Sequence, residues 1–95
     1  MNDATRQRMA EAFAALGNEE RLRIVERLLE GKTECREILC ASSLSQPAIS
    51  YHLRKLERAG ILVREKTGTR ACYRLSRPLA RWLRSLVKED GWLSM

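Results

Sequence analysis

The stretch from Ser45 to Gly60 constrains the fold of this chain more than any other, because both of its ends and one of its faces are marked. Ser45 offers an N-cap oxygen, Pro47 falls in the first turn, where a missing N–H is harmless, and Gly60 suits the position just past a helix C-terminus. Between them Ile49, Leu53 and Leu56 recur at spacings of four and three, which makes one apolar stripe. At about 100° of rotation per residue, Pro47, Tyr51, Arg54, Lys55 and Arg58 fall on the opposite side, with Gln46 and Ser50 flanking the beginning. One face seeks a core. The other carries hydrogen-bonding groups at its leading end and positive charge behind them, as a helix entering the DNA major groove tip first requires.

Upstream, Thr5 to Leu16 reads as a helix with Met9, Ala12, Phe13 and Leu16 on one side. Gly17 closes it, and Asn18 caps a second helix that runs to about Glu30, with Glu19 and Glu20 in its positive first turn. Leu22, Val25, Leu28 and Leu29 are its expected buried set. Thr33 caps a short helix through Ala41, anchored by Ile38 and Leu39, and Ser42-Ser43-Leu44 is a tight connector into the marked stretch. Two short helices joined by such a turn form a helix-turn-helix, spanning residues 33–59.

Past Gly60 the period shortens to two. Residues 61–75 read as a hairpin with Gly68 supplying positive φ in the turn. With Thr67-Gly68 as a two-residue loop, Lys66 pairs with Thr69, Glu65 with Arg70, Val63 with Cys72 and Leu62 with Tyr73. Leu62, Tyr73 and Leu75 then pack inward, and the tip displays Lys66, Thr67, Thr69 and Arg70. A basic tip directly after a groove-reading helix is the wing of a winged helix; an ordinary solvated hairpin is the alternative. Ser76 and Pro78 open a last helix over residues 78–90, with Leu79, Trp82, Leu83 and Leu86 on one face and Arg77, Arg81, Arg84 and Lys88 on the other.

A single domain of 95 residues has a small core and few places to bury two further apolar faces. Pairing the terminal helices, residues 5–16 and 78–90, across a two-fold axis is the simplest solution, with Met9, Phe13, Leu16, Leu79, Trp82, Leu83 and Leu86 at the interface. Completion of a monomer core by the same residues is the alternative. The net charge of +6 and a pI near 9.8 favour a polyanionic partner. No apolar run approaches the roughly 18 residues of a membrane span, and the charged start has no signal-peptide core. A cytoplasmic location is therefore expected, where three cysteines are reduced thiols rather than disulfides.

Four segments in order resemble the ArsR/SmtB family: Ala15-Leu16-Gly17-Asn18-Glu19-Glu20-Arg21-Leu22-Arg23-Ile24, Leu44 to Leu53, Leu56-Glu57-Arg58-Ala59-Gly60-Ile61-Leu62, and Tyr73-Arg74-Leu75. The resemblance spans about Ala12 to Trp82. It implies a mainly α fold with a β-hairpin, a winged helix-turn-helix of order α-α-α-α-β-β-α, dimeric through the terminal helices. It further implies a homodimeric bacterial repressor on an imperfect palindrome in double-stranded DNA, released by a chemical signal. Metal-sensing members carry Cys-x-Cys in the third helix; here those places hold Glu34 and Arg36, with Cys35 between them. Others place Asp and His ligands on the last helix, whereas the only histidine here is His52. Leu39 and Ser42 also stand where the family has a small residue and a leucine.

Cys35 and Cys40 lie five residues apart, a rise of about 7.5 Å and a rotation of about 140° on one helix. A disulfide needs Cα atoms within about 6.8 Å, so an intact helix excludes it. A single tetrahedral ion with bonds of about 2.3 Å is not reached from both sides either. Cys72 lies in the wing. A sensor in which Cys35, Cys40 or Cys72 reacts with an oxidant or binds a metalloid across a dimer is the rival reading, inert thiols the default. No phosphate loop, zinc-protease pair or nucleophile with a histidine base occurs, so neither catalysis nor a cofactor is expected. The expected DNA-contacting set is Ser45, Gln46, Ser50, Tyr51, His52, Arg54, Lys55, Lys66, Thr67 and Arg70. His52 is expected either packed or facing DNA. The expected partners are an operator duplex and a second copy of the chain, with an unidentified small inducer; a protein-binding winged-helix module is the other alternative.

Overall fold

The computed structural model describes residues 1–31, 44–68, 70–88 and 93. Within them the order is α1 (Asp3–Leu16), α2 (Glu19–Leu29), α3 (Gln46–Arg58), β1 (Leu62–Thr67), β2 (Arg70–Leu75) and α4 (Arg77–Lys88). The helix expected from Thr33 to Ala41, with Cys35 and Cys40, lies outside the described residues, as does Trp92. Among the described residues no helix is long and apolar enough to cross a membrane.

Side-chain caps start the first three helices. Asn2 accepts from the Thr5 amide and starts α1 two residues earlier than expected, and Asn18 accepts from the Arg21 amide at the head of α2. The end of α3 is a Schellman motif. Gly60 adopts φ +78, its N–H reaches the Glu57 carbonyl, and the Ile61 N–H reaches the Leu56 carbonyl. This turn delivers the chain from helix to hairpin with Ile61 fully buried, and the Ser76 N–H then closes the hairpin base on the Ile61 carbonyl.

The core gathers Ile49, Leu53 and Leu56 of α3 with Ala15, Leu16, Ile24, Val25, Leu28, Leu62, Tyr73, Leu75, Ala80 and Leu83. Two expectations are corrected. Leu22 is 47% exposed, and Ile24 takes its place in the core beside Val25 and Leu28. The sets 22/25/28/29 and 24/25/28 both satisfy a helical period, and only the direction from which α1 and α3 press on α2 separates them.

The hairpin register is the second correction. The pairs are Leu62↔Leu75, Val63↔Arg74, Arg64↔Tyr73, Glu65↔Cys72, Lys66↔Ala71 and Thr67↔Arg70, two residues from the expected pairing. Gly68, with φ +63, thus takes the first loop position, where positive φ is needed, and β-branched Thr67 stays in the strand. A shift of two preserves side-chain alternation, so Leu62, Tyr73 and Leu75 still face inward, at 3%, 9% and 7% exposure.

Candidate nucleic-acid interface

Helix α3 begins where Ser45, extended at φ −69 and ψ 161, turns its Oγ to accept from the Ala48 amide at 3.4 Å. Pro47 stands in the first turn, and the Ile49 amide makes the first backbone bond, to the Ser45 carbonyl. Ile49, Leu53 and Leu56 are buried to 2% exposure or less. Because that stripe is seated on α1, α2 and β1, the opposite side is held outward. Ser45, Gln46, Pro47, Tyr51, Arg54, Lys55 and Arg58 are exposed, and Ser50 is half-buried at the flank. The first turn of α3 contains no carboxylate, so its positive helix end is uncompensated and attracts an anion. Lys55 Nζ sits 5.6 Å from the Tyr51 ring centroid, which holds cation and ring together at the surface.

His52 turns inward. Its Nδ1 lies 3.3 Å from Arg21 Nη1 on α2. Arginine has only donors, so Nδ1 accepts and the ring carries its proton on Nε2. Arg21 also donates through Nε to the Ala15 carbonyl at the end of α1. One guanidinium thereby joins three helices behind the exposed face. Partial burial, reinforced by the Arg21 charge and opposed by Glu20, holds His52 below the ordinary imidazole value of 6.5. Arg21 has no sequence signal for this role, since its partner is 31 residues away.

The wing contributes exposed Arg64 and Lys66; the side chains of Thr67 and Arg70 are outside the described part. Glu65 accepts from Arg74 Nε across the strands and neutralises one flank of the hairpin. Cys72 is a half-buried free thiol on β2, opposite Glu65. Among the described residues no group of three or more His, Cys, Asp and Glu side chains could hold a metal ion.

A second surface lies between the terminal helices. Phe13 and Trp82 meet with ring centroids 5.9 Å apart and rings tilted by 53°. Around them Leu16, Leu22, Leu83, Leu86, Val87 and Leu93 line an open, almost wholly apolar groove of about 750 Å³. Phe13 is 50% exposed, Trp82 43%, Val87 61% and Met9 40%, so the described residues leave this apolar surface uncovered. Leu22, displaced from the core, belongs to it. Of the other expected interface residues, Leu79 is half-buried against the core, and Leu16 and Leu83 are buried in it at 8% and 6% exposure while also lining the groove.

The model of the bacterial regulatory protein arsR family matches residues 18–63. The arsenic resistance transcriptional regulator ArsR1 of Pseudomonas putida is 34% identical over 88 residues, covering 86% of this chain and 69% of that protein. The arsenical resistance operon repressor of Escherichia coli is 39% identical over 81 residues, covering 84% and 68%. The homodimeric winged helix-turn-helix DNA-binding domain of a Mycobacterium bovis protein superimposes with a TM-score of 0.84 at 26% identity, over 100% of this chain and 94% of that one. Reduced HlyU from Vibrio cholerae gives 0.76 at 27% identity, over 90% and 92%.

Proposed function

The chain is a winged helix-turn-helix transcriptional regulator that belongs to the ArsR family of bacterial regulatory proteins, and from that premise we propose how it engages its operator. Two copies pair through the apolar surface of α1 and α4, around Phe13, Leu16, Trp82, Leu83 and Leu86. Each presents α3 to the major groove of one half of an imperfect palindrome, in the cytoplasm. Gln46, Ser50 and Tyr51 contact base edges, and the bidentate amide of Gln46 suits adenine. Ser45, Arg54, Lys55, Lys66, Thr67 and Arg70 hold phosphates and set the register. His52 acts from behind, through Arg21, as a positioning residue.

The observation that carries this reading is the division of α3 into a stripe buried to 2% exposure or less and an opposite face of exposed polar and cationic groups. Apart from Pro47 and Tyr51, the exposed described residues of that face are polar or cationic, which suits a phosphate-lined groove better than the apolar core of a protein interface. The test is titration of matched and scrambled duplexes across salt. Gln46→Ala is expected to reduce the preference for the matched duplex by about 1–3 kcal/mol. Arg54→Ala is expected to weaken both alike and to lower the log–log salt slope by about 1.8, roughly 0.9 for each of the two copies. Equal losses on both duplexes for Gln46→Ala remove its reading role.

A further inference from the structure

Helix α4 carries Arg77, Arg81, Arg84 and Lys88 and no carboxylate. At about 100° per residue the four fall within some 60° of one another, and their centre lies about 180° from that of Leu79, Trp82, Leu83 and Leu86. The cations therefore face away from the apolar surface and remain open to solvent when that surface is covered. Three of them, with Arg74 at the base of β2, line a groove of about 480 Å³ floored by Leu75 and Ala80. Small-ligand sites occupy about 300–1,000 Å³, so this is the size of a metabolite. Arg6, Arg23, Arg27 and Arg74 each have a carboxylate within salt-bridge distance, whereas Arg77, Arg81 and Arg84 have none among the described residues.

Like charges at spacings of four and three oppose helix formation, so such a cluster is relieved when an anion binds. Guanidinium groups match phosphate oxygens bidentately, which lysines do not. Along the axis, Arg77 to Arg81 spans about 6 Å and Arg77 to Arg84 about 10.5 Å, longer than one phosphate and suited to several in a row. Arg74 stands four residues up the strand from the wing's end at Arg70, about 13 Å away, so the groove is apart from the DNA-facing tip. We propose that the groove between β2 and α4 is a binding site for a small molecule with two or more linked phosphate groups, gripped by Arg77, Arg81 and Arg84.

The experiment is calorimetric titration of the full chain with inorganic triphosphate at moderate salt, with inorganic phosphate as the short probe. Wild type is expected to bind triphosphate at least tenfold more tightly than phosphate, and the double variant R81Q/R84Q to lose at least tenfold in triphosphate affinity. Arg54→Gln, on α3, is expected to bind triphosphate as wild type does, and R81Q/R84Q to keep wild-type operator affinity. Undiminished triphosphate binding by R81Q/R84Q, or a loss confined to Arg54→Gln, overturns the proposal. So does weakened operator binding by R81Q/R84Q with triphosphate affinity intact, which would make the groove a clamp for duplex phosphates.

Discussion

At the scale of single residues, Arg21 ties α3 to its neighbours, donating to the Ala15 carbonyl on α1 and to His52 on α3. The hydrogen bond from Arg21 to Nδ1 exists only while the imidazole is neutral, and burial together with the Arg21 charge favours that state. The folded-state value therefore lies below the ordinary 6.5, and between the two values the unfolded chain binds more protons. Stability from this residue is complete above about pH 6.5, declines as the pH falls through that window, and levels off below it. Thermal melts from pH 7.5 to 5 are expected to show a steeper acid loss for the wild type than for His52→Gln; parallel curves would contradict the assignment. Leu53, buried against the core at 2% exposure, makes the complementary case. Leu53→Ala is expected to cost about 2–5 kcal/mol in denaturant unfolding, with no effect on DNA beyond the loss of folded protein.

At the scale of elements, α3 and the wing differ in how much of them could be read from residues alone. The start, stop and buried stripe of α3 follow from local chemistry: a serine cap, a proline in the first turn, a glycine past the end, and three aliphatics in period. Ser45→Ala is accordingly expected to cost about 1 kcal/mol. Gly60→Ala meets no neighbour within 4 Å but forces φ +78 on a residue with a Cβ, and a cost of about 1–2 kcal/mol is expected. Equilibrium unfolding of both variants checks these values. The hairpin's inward face was legible for the same reason, since alternation survives a shift of two. Its register was misread although the residues carried a signal: a loop opening at Gly68 gives glycine the position that needs positive φ, whereas one opening at Thr67 would force that φ on a β-branched residue. Leu22 was misplaced because a helix's period does not say from which side its neighbours arrive, and the Arg21–His52 contact joins residues far apart in sequence.

At the scale of the whole molecule, the exposed aromatic pair of α1 and α4 and the cationic face of α3 have to work together. Covering Phe13 and Trp82 with a second copy fixes the separation and the two-fold relation of the two α3 helices, which a monomer lacks. Trp82→Glu places a charge in that surface and is expected to give a folded monomer by sedimentation, with operator affinity reduced at least tenfold. The most direct test of the account is hydroxyl-radical footprinting of the wild-type chain on its own promoter DNA. Two protected patches on one face of the duplex, centred about 10 base pairs or a multiple of that apart, are the expected result. A single patch, or protection that does not depend on sequence, would contradict it.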